Sequence, residues 1–253
     1  MKICVLASGS KGNVTYIETK KTKSLIDIGM SCAYVEKNLK DIGVDPKEIQ
    51  RIFITHAQSD HINGLRVFIK KYNPAIYLTQ PMEEEIDLII DNTFYITKDE
   101  QIDDLLVRPI KTSHDAKDSN GYVFISNNKS LMYMTDTGYI NVRNFNKLKD
   151  HDMYILESNH DIEMLMKGPY PYHIKQRILG DKGHLSNKDT AYYLSEFTTD
   201  KTKKVILAHL SEHNNTEEKA LESYYKAYKK ANKKSPEVEV AKQKERLEVV
   251  TLW

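Results

Sequence analysis

Several short apolar runs in this chain are each followed closely by a histidine or an aspartate, and this pattern constrains the fold most. The runs are rich in β-branched and aromatic residues, which is the composition of β-strands. The polar residues that follow them are His56, His114, Asp136 and His209. Loops that follow strand ends can bring together side chains that are distant in the chain, so we expect these four residues to meet. The alternative is that they are ordinary polar groups that hydrogen-bond within the core.

The strand-like runs are spread over the whole chain, with helical patterns between some of them. The predicted strands are Ile3–Leu6, Val14–Glu18, Ser24–Asp27, Arg51–Ile54, Ile76–Leu78, Leu106–Ile110, Tyr122–Ser126, Leu131–Met134, Met153–Leu156, Lys204–Ala208 and Glu248–Leu252. The predicted helices cover Tyr34–Leu39, Ile62–Phe68, Ser186–Phe197 and Thr216–Lys230, where Ser186 and Thr216 are predicted caps. No linker-like segment and no repeat interrupts the chain. The sequence therefore predicts one α/β (α+β) domain over residues 1–253, with sheets inside and helices outside.

The densest group of polar side chains is the loop from His56 to His61. Two imidazoles, the Gln58 amide and the Asp60 carboxylate follow one another within six residues, after a strand that ends at Thr55. Imidazoles and carboxylates are ligands of Zn²⁺, Mn²⁺ and Fe ions. A histidine pair alone is more often structural, and one cluster cannot complete a coordination sphere. The ligands at the other strand ends are therefore needed for the metal-site interpretation.

Composition adds little to this argument. The 253 residues carry a net charge of +1, which gives no general reason to expect nucleic-acid binding. Lysines and tyrosines alternate between Lys219 and Lys234, either as a surface for a polyanion or as a solvated helix. Cys4 and Cys32 fit core thiols in a reducing compartment. With no apolar run of about 18 residues and no leader pattern, we expect a soluble cytoplasmic protein with no membrane partner.

The order of these residues resembles the metallo-β-lactamase superfamily over essentially the whole chain. Three stretches look like the YycJ/WalJ branch of that superfamily: Leu6–Asn13, Leu156–Asp161 and Gly183–Asn187. The resemblance implies an αββα sandwich, in which two sheets face each other between outer helices. It also implies a metal-dependent nuclease, with DNA as the substrate and 5′-to-3′ exonuclease action.

The resemblance also assigns the metal ligands, which would hold two divalent ions, Zn²⁺ or Mn²⁺. The first site would use His56, the residue at position 58 and His114. The second would use Asp60, His61 and His209, and Asp136 would bridge the two ions. Asp27 matches the buried carboxylate that orients the ligand loop through hydrogen bonds.

Gln58 departs from the superfamily pattern, which has a histidine at this position. An amide oxygen is a neutral and weaker ligand than an imidazole. We therefore expect a first site that binds its ion loosely or prefers Mn²⁺ over Zn²⁺. Two alternatives remain: Gln58 points elsewhere and water takes its place, or the chain binds metal without turnover.

The resemblance implies hydrolysis by a metal-activated water. Asp60 would bind metal and accept the proton of that water, and His184 would lie beside the scissile phosphate and serve the leaving oxygen. The alternative for His184 is a structural role beside the Ser186 helix cap.

Further candidate residues are substrate-binding groups. The loop that carries Ser8, Ser10, Lys11 and Asn13 is either a phosphate cradle or an ordinary turn. His160 is a candidate for contact with metal or substrate, although its spacing suggests no mechanism. The leading hypothesis is thus a phosphodiesterase acting on nucleic acid, most simply a 5′-to-3′ DNA exonuclease. The alternatives are a thioester, lactam or lactone hydrolase on the same fold, or a degenerate metal-binding protein.

Overall fold

The computed structural model describes residues 1–252 and contains two β-sheets of seven strands each. The strands of the first sheet are β1 (Lys2–Ala7), β2 (Val14–Glu18), β3 (Lys23–Ile26), β4 (Arg51–Phe53), β5 (Ala75–Leu78), β6 (Thr93–Tyr95) and β14 (Val250–Thr251). The strands of the second sheet are β7 (Glu100–Ile102), β8 (Leu105–Lys111), β9 (Asn120–Ser126), β10 (Lys129–Met134), β11 (Met153–Glu157), β12 (Lys204–Ala208) and β13 (Glu237–Val240).

The two sheets share one topological design. The first has the order β14-β1-β2-β3-β4-β5-β6, antiparallel up to β3 and parallel from β3 onward. The second has the order β13-β12-β11-β10-β9-β8-β7, parallel from β13 to β10 and antiparallel beyond it. Parallel strands end at the same edge of a sheet, so each sheet gathers the loops that follow its parallel strands along one edge.

Nine α-helices connect the strands in the described residues. They are α1 (Cys32–Asp41), α2 (Ser59–Ile62), α3 (Leu65–Tyr72), α4 (Gln80–Glu85), α5 (Phe145–Leu148), α6 (Ile162–Lys167), α7 (Tyr172–Leu179), α8 (Asn187–Phe197) and α9 (Glu217–Lys230). Two short 3-10 turns cover Pro46–Glu48 and Val142–Asn144. None of these helices is long and apolar enough to cross a membrane.

The core has three layers of apolar side chains, which follow from the two-residue period of the strands. Along β1, Ile3 and Val5 point between the two sheets, whereas Cys4 and Leu6 point toward α1 and α3. A third cluster joins the outer face of the second sheet to α8 and α9. Helices thus cover both outer faces. The predicted αββα sandwich is confirmed.

The predicted strands all form, with boundaries within about two residues, and the caps at Ser186 and Thr216 are confirmed by their hydrogen bonds. Three strands were not predicted: β6, β7 and β13. The predicted helix over Ile62–Phe68 is wrong as a single element, because α2 ends at Ile62 and α3 begins at Leu65. The lysine and tyrosine segment forms α9, in which Tyr224 and Tyr228 are buried in the core. This favours the solvated-helix interpretation.

Candidate metal centre

The polar residues that follow the strand ends converge on Asp136, which is separated from the end of β10 by one residue. Its carboxylate oxygens lie 3.2 Å from Nε2 of His61, 3.4 Å from Nε2 of His209 and 3.9 Å from Nε2 of His114. Asp136 and these three histidines are buried. Residues separated by up to 148 positions in the sequence, from His61 to His209, therefore share one carboxylate.

Among the described residues, three overlapping groups of donors meet around that carboxylate. One ligand atom from each of His56, His114 and Asp136 lies within 4.8 Å of the others, and His56, Asp60 and His61 form a second such group. Asp136, Glu157, His184 and His209 form the third. Asp60 Oδ2 also lies 3.5 Å from Nε2 of His61 and 3.7 Å from Nε2 of His209. The arrangement therefore brings together the predicted ligands of both sites, apart from Gln58.

In the first sheet, the histidines of the centre are oriented through their Nδ1 atoms. Nδ1 of His61 donates to Asp27 Oδ2 at 2.7 Å, and the same carboxylate accepts the backbone N–H and the hydroxyl of Thr55. Because the Thr55 hydroxyl gives its proton to Asp27, its oxygen accepts from Nδ1 of His56 at 3.1 Å. Asp27 thus fixes the ligand loop, as the sequence predicts, and both Nε2 atoms face the centre.

The second sheet orients its histidines in the same way. Nδ1 of His209 donates to Glu157 Oε1 at 3.0 Å, and Nδ1 of His114 donates to the backbone carbonyl of Gly183 at 3.3 Å. All four histidines therefore use Nδ1 to bond to the fold and turn Nε2 toward the centre. This is the usual arrangement of metal-binding histidines in proteins.

The free atoms of the centre fit a metal ion. Nε2 of His56, His114 and His209 and Oδ2 of Asp136 are buried, and within residues 1–252 they form no hydrogen bond. Buried polar atoms without partners are costly unless an unseen ion or water satisfies them. Together with the fold, this donor set of imidazoles and carboxylates implies that the chain binds divalent metal.

Protons on two of the histidines balance the charge of the carboxylates in the centre. Burial lowers the pKa of His56 to about 3 and also lowers the pKa of His114, so both imidazoles are neutral. Burial acts in the same direction on His61 and His209, but neighbouring carboxylates, including Asp136, raise the pKa of His61 well above its ordinary value and that of His209 to about 10. A bound cation displaces these two protons, so metal affinity falls as the pH falls.

Three residues at the centre have left-handed backbone conformations. Asp27, Asp136 and His209 have φ angles of 57°, 55° and 56°. This region is uncommon for residues other than glycine and costs the most for those larger than asparagine or aspartate. Each of the three directly follows or lies one residue beyond a strand, so the sharp change of direction aims its side chain at the centre.

The predicted phosphate cradle divides into buried and exposed parts. Ser8 and Asn13 are buried and make internal hydrogen bonds: the Ser8 hydroxyl accepts from the backbone N–H of His209, and the Asn13 amide lies 3.1 Å from Nε2 of His61. Both therefore contact metal-ligand residues in the interior, and the binding of substrate by this loop stays a prediction. Ser10 and Lys11 are exposed, and Lys11 forms an ion pair with Glu212.

His160, another predicted candidate for contact with metal or substrate, is buried. Its side chain is only 1% exposed, and neither ring nitrogen has a hydrogen-bond partner in the described chain. Burial lowers the pKa of His160 to about 4, so the ring is neutral. The sequence suggested that His160 contacts metal or substrate, and this stays a prediction.

Glu157 is the residue of the centre that sequence reasoning missed. It ends β11 and is fully buried, and its carboxylate accepts from Nδ1 of His184 at 2.6 Å as well as from His209. Its second oxygen accepts the backbone N–H groups of Thr137 and Leu185. The same strand-end pattern that identified Asp136 was present here, because Glu157 follows the apolar run Met153–Leu156.

His184 lies beside the centre rather than at the helix cap. Burial lowers the pKa of His184, but the charge and hydrogen bond of Glu157 raise it above the ordinary value. The side chain retains 22% exposure, and its ring stacks on that of His209 with centroids 5.4 Å apart. Ser186 caps α8 through its own hydroxyl, so the ring of His184 takes no part in the cap.

Gln58 is directed toward a neighbouring loop. Its amide nitrogen donates to the backbone carbonyl of Asp115 at 3.0 Å, and Asp115 in turn pairs with Arg177. The amide oxygen is then the only atom of Gln58 that remains for a cation, and it is a weaker ligand than the imidazole that the superfamily pattern has here. We therefore retain the prediction of a weak first site.

A Gln58→His variant tests this prediction. We expect the purified wild-type chain to retain fewer than two Zn²⁺ ions after dialysis, and the variant to retain close to two, because an imidazole replaces the amide. Metal content by elemental analysis and a Zn²⁺ titration measure the difference. Gln80→His, in the exposed start of α4, controls for an added surface histidine. Two tightly held Zn²⁺ ions in the wild type would contradict the prediction.

Comparison with known proteins agrees with the fold and the donor set. The two facing sheets and the imidazole and carboxylate cluster define a metal-binding protein of the β-lactamase type. The profile of the Beta-lactamase superfamily domain matches residues 24–210. The chain therefore belongs to the metallo-β-lactamase superfamily.

Two curated relatives place the chain more closely. It is 39% identical over 228 residues to the protein named Exodeoxyribonuclease WalJ of Streptococcus pneumoniae serotype 2, covering 87% of this chain and 85% of the relative. It is also 39% identical over 223 residues to the protein named Exodeoxyribonuclease YycJ of Bacillus anthracis, covering 85% and 84%. Within the superfamily, the chain is a WalJ/YycJ-like member.

A solved structure supports the fold independently of sequence. The metallo-β-lactamase fold protein YhfI from Bacillus subtilis superposes with a TM-score of 0.72 over 97% of this chain and 98% of its own, at 15% identity. At this identity the similarity concerns the architecture alone.

Proposed function

We propose that this chain is a metal-dependent phosphodiesterase that degrades DNA as a 5′-to-3′ exonuclease. The observation that carries the proposal is the buried set of Nε2 and carboxylate atoms around Asp136, several of which have no hydrogen-bond partner within residues 1–252 and are of the kinds that bind divalent cations. The choice of DNA is supported by the two relatives named exodeoxyribonucleases, each of which aligns over most of its length.

The residues divide between two adjoining cation positions. His56, His114 and Asp136 would hold the first cation, with Gln58 as a weak contributor. The donors for the second cation would be Asp60, His61, His209 and the shared Asp136. Divalent cations bound there supply Lewis acidity, which makes water a better nucleophile near neutral pH and reduces the charge on the phosphodiester.

The protein side chains supply the proton transfers. Asp60 is part of the centre and its side chain is 19% exposed, so an attacking water can reach its carboxylate. His184 is held at Nδ1 by Glu157, which leaves its Nε2 for the leaving oxygen of the substrate. Asp60 thus acts as the proton acceptor and His184 as the proton donor in this proposal.

The proposal is tested with labelled DNA and Mn²⁺. We expect duplex DNA labelled at its 5′ end to release the label early as mononucleotide, whereas label at the 3′ end appears late. Asp60→Ala should abolish release, since it removes a metal ligand and the proton acceptor. The same preparation is offered an equivalent RNA, nitrocefin and a glutathione thioester. Turnover of a thioester or lactam without nucleotide release would replace the proposal, and no turnover at all would indicate a metal-binding protein without catalysis.

A separate prediction concerns His184. We expect His184→Gln to retain the metal content of the wild type and to degrade DNA about 10²- to 10⁴-fold more slowly, which is the range for loss of a general acid. Glutamine can still donate a hydrogen bond to buried Glu157, so the fold should be preserved. His213→Gln, at an exposed histidine, is the control. An unchanged rate in His184→Gln would remove this residue from the mechanism.

A further inference from the structure

A surface cavity of about 330 Å³ lies next to the metal centre. We call it the Tyr139 cavity. It is lined chiefly by Lys111, Ser113, Tyr139, Asn141 and Arg143. Its volume lies at the small end of the range for ligand-binding sites.

The cavity is lined by residues of the two loops that carry the metal ligands His114 and Asp136. Ser113 immediately precedes His114, and Tyr139 lies three residues after Asp136. The two loops are tied together, because the backbone N–H of Gly138 donates to the carbonyl of Ser113 at 2.9 Å and the N–H of Ser113 donates to the hydroxyl of Thr137 at 3.0 Å. A molecule in the cavity would thus be held beside the ligands at 114 and 136.

The charge of the cavity is positive. Lys111 and Arg143 line it, and no lining side chain is acidic, although Lys111 itself pairs with nearby Asp118. Arg143 differs from the other five arginines. Each of those donates to an oxygen of the protein, whereas the guanidinium of Arg143 has no hydrogen bond or ion pair within residues 1–252. An exposed, unpaired guanidinium is available to bind a phosphate.

Tyr139 gives the cavity an aromatic wall. Its side chain is 41% exposed. Its backbone is fixed, because its carbonyl accepts the hydroxyl of Thr137 at 2.7 Å. Exposed aromatic rings beside basic residues are the usual platform for bases of single-stranded nucleic acid.

We propose that the Tyr139 cavity binds one nucleotide of the substrate strand next to the phosphodiester that is cut, with the base stacked on Tyr139 and a backbone phosphate held by Arg143. The inference rests on the proposed nuclease function and adds a subsite to it. Its volume, its positive charge and its position on the two loops that carry His114 and Asp136 all favour this occupant.

The test compares DNA with methyl p-nitrophenyl phosphate, a phosphodiester that has no nucleobase and no neighbouring phosphates and whose only aromatic ring is the leaving group. For Tyr139→Ala we expect kcat/KM on single-stranded DNA to fall roughly 10- to 100-fold, the range for loss of one stacked base. Hydrolysis of the small phosphodiester should stay at the wild-type rate. Tyr139→Phe should retain the DNA activity because it keeps the ring. Tyr225→Ala, at a tyrosine of α9 with similar exposure, is the matched control.

Arg143→Gln adds a readout that a structural role would not change. Loss of one phosphate contact reduces the salt dependence of binding, so the slope of log KM against log salt should fall by about 1. Lys229→Gln on α9 removes the same charge from an exposed position elsewhere and should leave the slope unchanged.

The outcomes separate the two proposals. If the wild type degrades DNA and the Tyr139 and Arg143 variants match it, the subsite is overturned and the nuclease proposal stands. If the variants lose activity equally on DNA and on the small phosphodiester, the residues support the metal centre and the subsite is again overturned. A wild type that hydrolyses only the small phosphodiester overturns the proposed DNA substrate, and the subsite with it.

Discussion

Asp136→Asn is expected to empty the metal centre while leaving the fold intact. Asparagine has nearly the same size and also tolerates the left-handed backbone at this position, where φ is 55°. The variant loses the negative charge of the carboxylate that is shared by all three histidines. This carboxylate lies within 3.9 Å of the Nε2 atoms of His61, His114 and His209. Loss of a residue that hydrogen-bonds to a metal ligand typically lowers metal affinity or activity about 10- to 100-fold. Loss of the shared carboxylate should cost about 10³-fold or more in DNA hydrolysis.

The matched control is Asp152→Asn. Asp152 is also a buried aspartate of the second sheet, but it lies just before the start of β11, away from the strand ends that carry the centre, and it accepts hydrogen bonds from Ser130. This variant should lose stability and keep its metal. Bound metal is counted by elemental analysis, folding is followed by circular dichroism, and nucleotide release is timed. Full metal content and a wild-type rate in Asp136→Asn would show that the carboxylate does not hold the cations.

Gly29→Ala is expected to be among the most destabilising single substitutions in the chain. A Cβ atom on Gly29 would lie 1.7 Å from the backbone oxygen of Asp60 and 2.6 Å from the backbone nitrogen of Asn13. Both neighbours are backbone atoms, so the clash cannot be relieved by a side-chain rotation. We expect a loss of about 3 kcal/mol or more in the free energy of unfolding, the upper range for overpacking.

The same substitution should weaken metal binding, because α2 carries Asp60 and His61 and would be pushed outward. Urea denaturation and a Zn²⁺ titration measure the two effects. Gly180→Ala is the control: the nearest atom to its Cβ is the carbonyl oxygen of Gln176 at 3.2 Å, and its φ of −77° suits any residue. It should change stability by about 1 kcal/mol or less. A Gly29→Ala chain as stable as this control would mean that the ligand loop moves without cost.

The sequence predicted the central strands of both sheets and missed strands at their edges. The three that were missed, β6, β7 and β13, are all edge strands, and Glu237–Val240 shows why. Its alternating glutamates suit an edge that meets water on one side and weaken the apolar signal. The split between α2 and α3 was hidden for a different reason: Gly64 packs against the carbonyl of Met30, a contact that helical periodicity does not reveal.

The metal ligands were predictable because each is a chemically distinctive residue after a strand. Apart from Asp27, their supporting residues were not predicted, since support depends on which loops meet in space. Ser8 accepts a hydrogen bond from His209, 201 residues away, so this part of a loop that resembled a phosphate cradle lies in the interior. Glu157 follows an apolar run as Asp136 does, but its role as a partner of His209 appears only when β11 is placed beside β12.

The division of the metal-binding residues between the two sheets affects how the metal centre responds to substitutions far from it. His56, Asp60 and His61 come from one sheet, and His114, Asp136 and His209 come from the other, so neither half of the chain contains a complete set. The affinity for cations therefore depends on how the two sheets pack against each other. Phe124 lies between the two sheets. A substitution such as Phe124→Leu would therefore lower the affinity of the centre for metal before the protein unfolds.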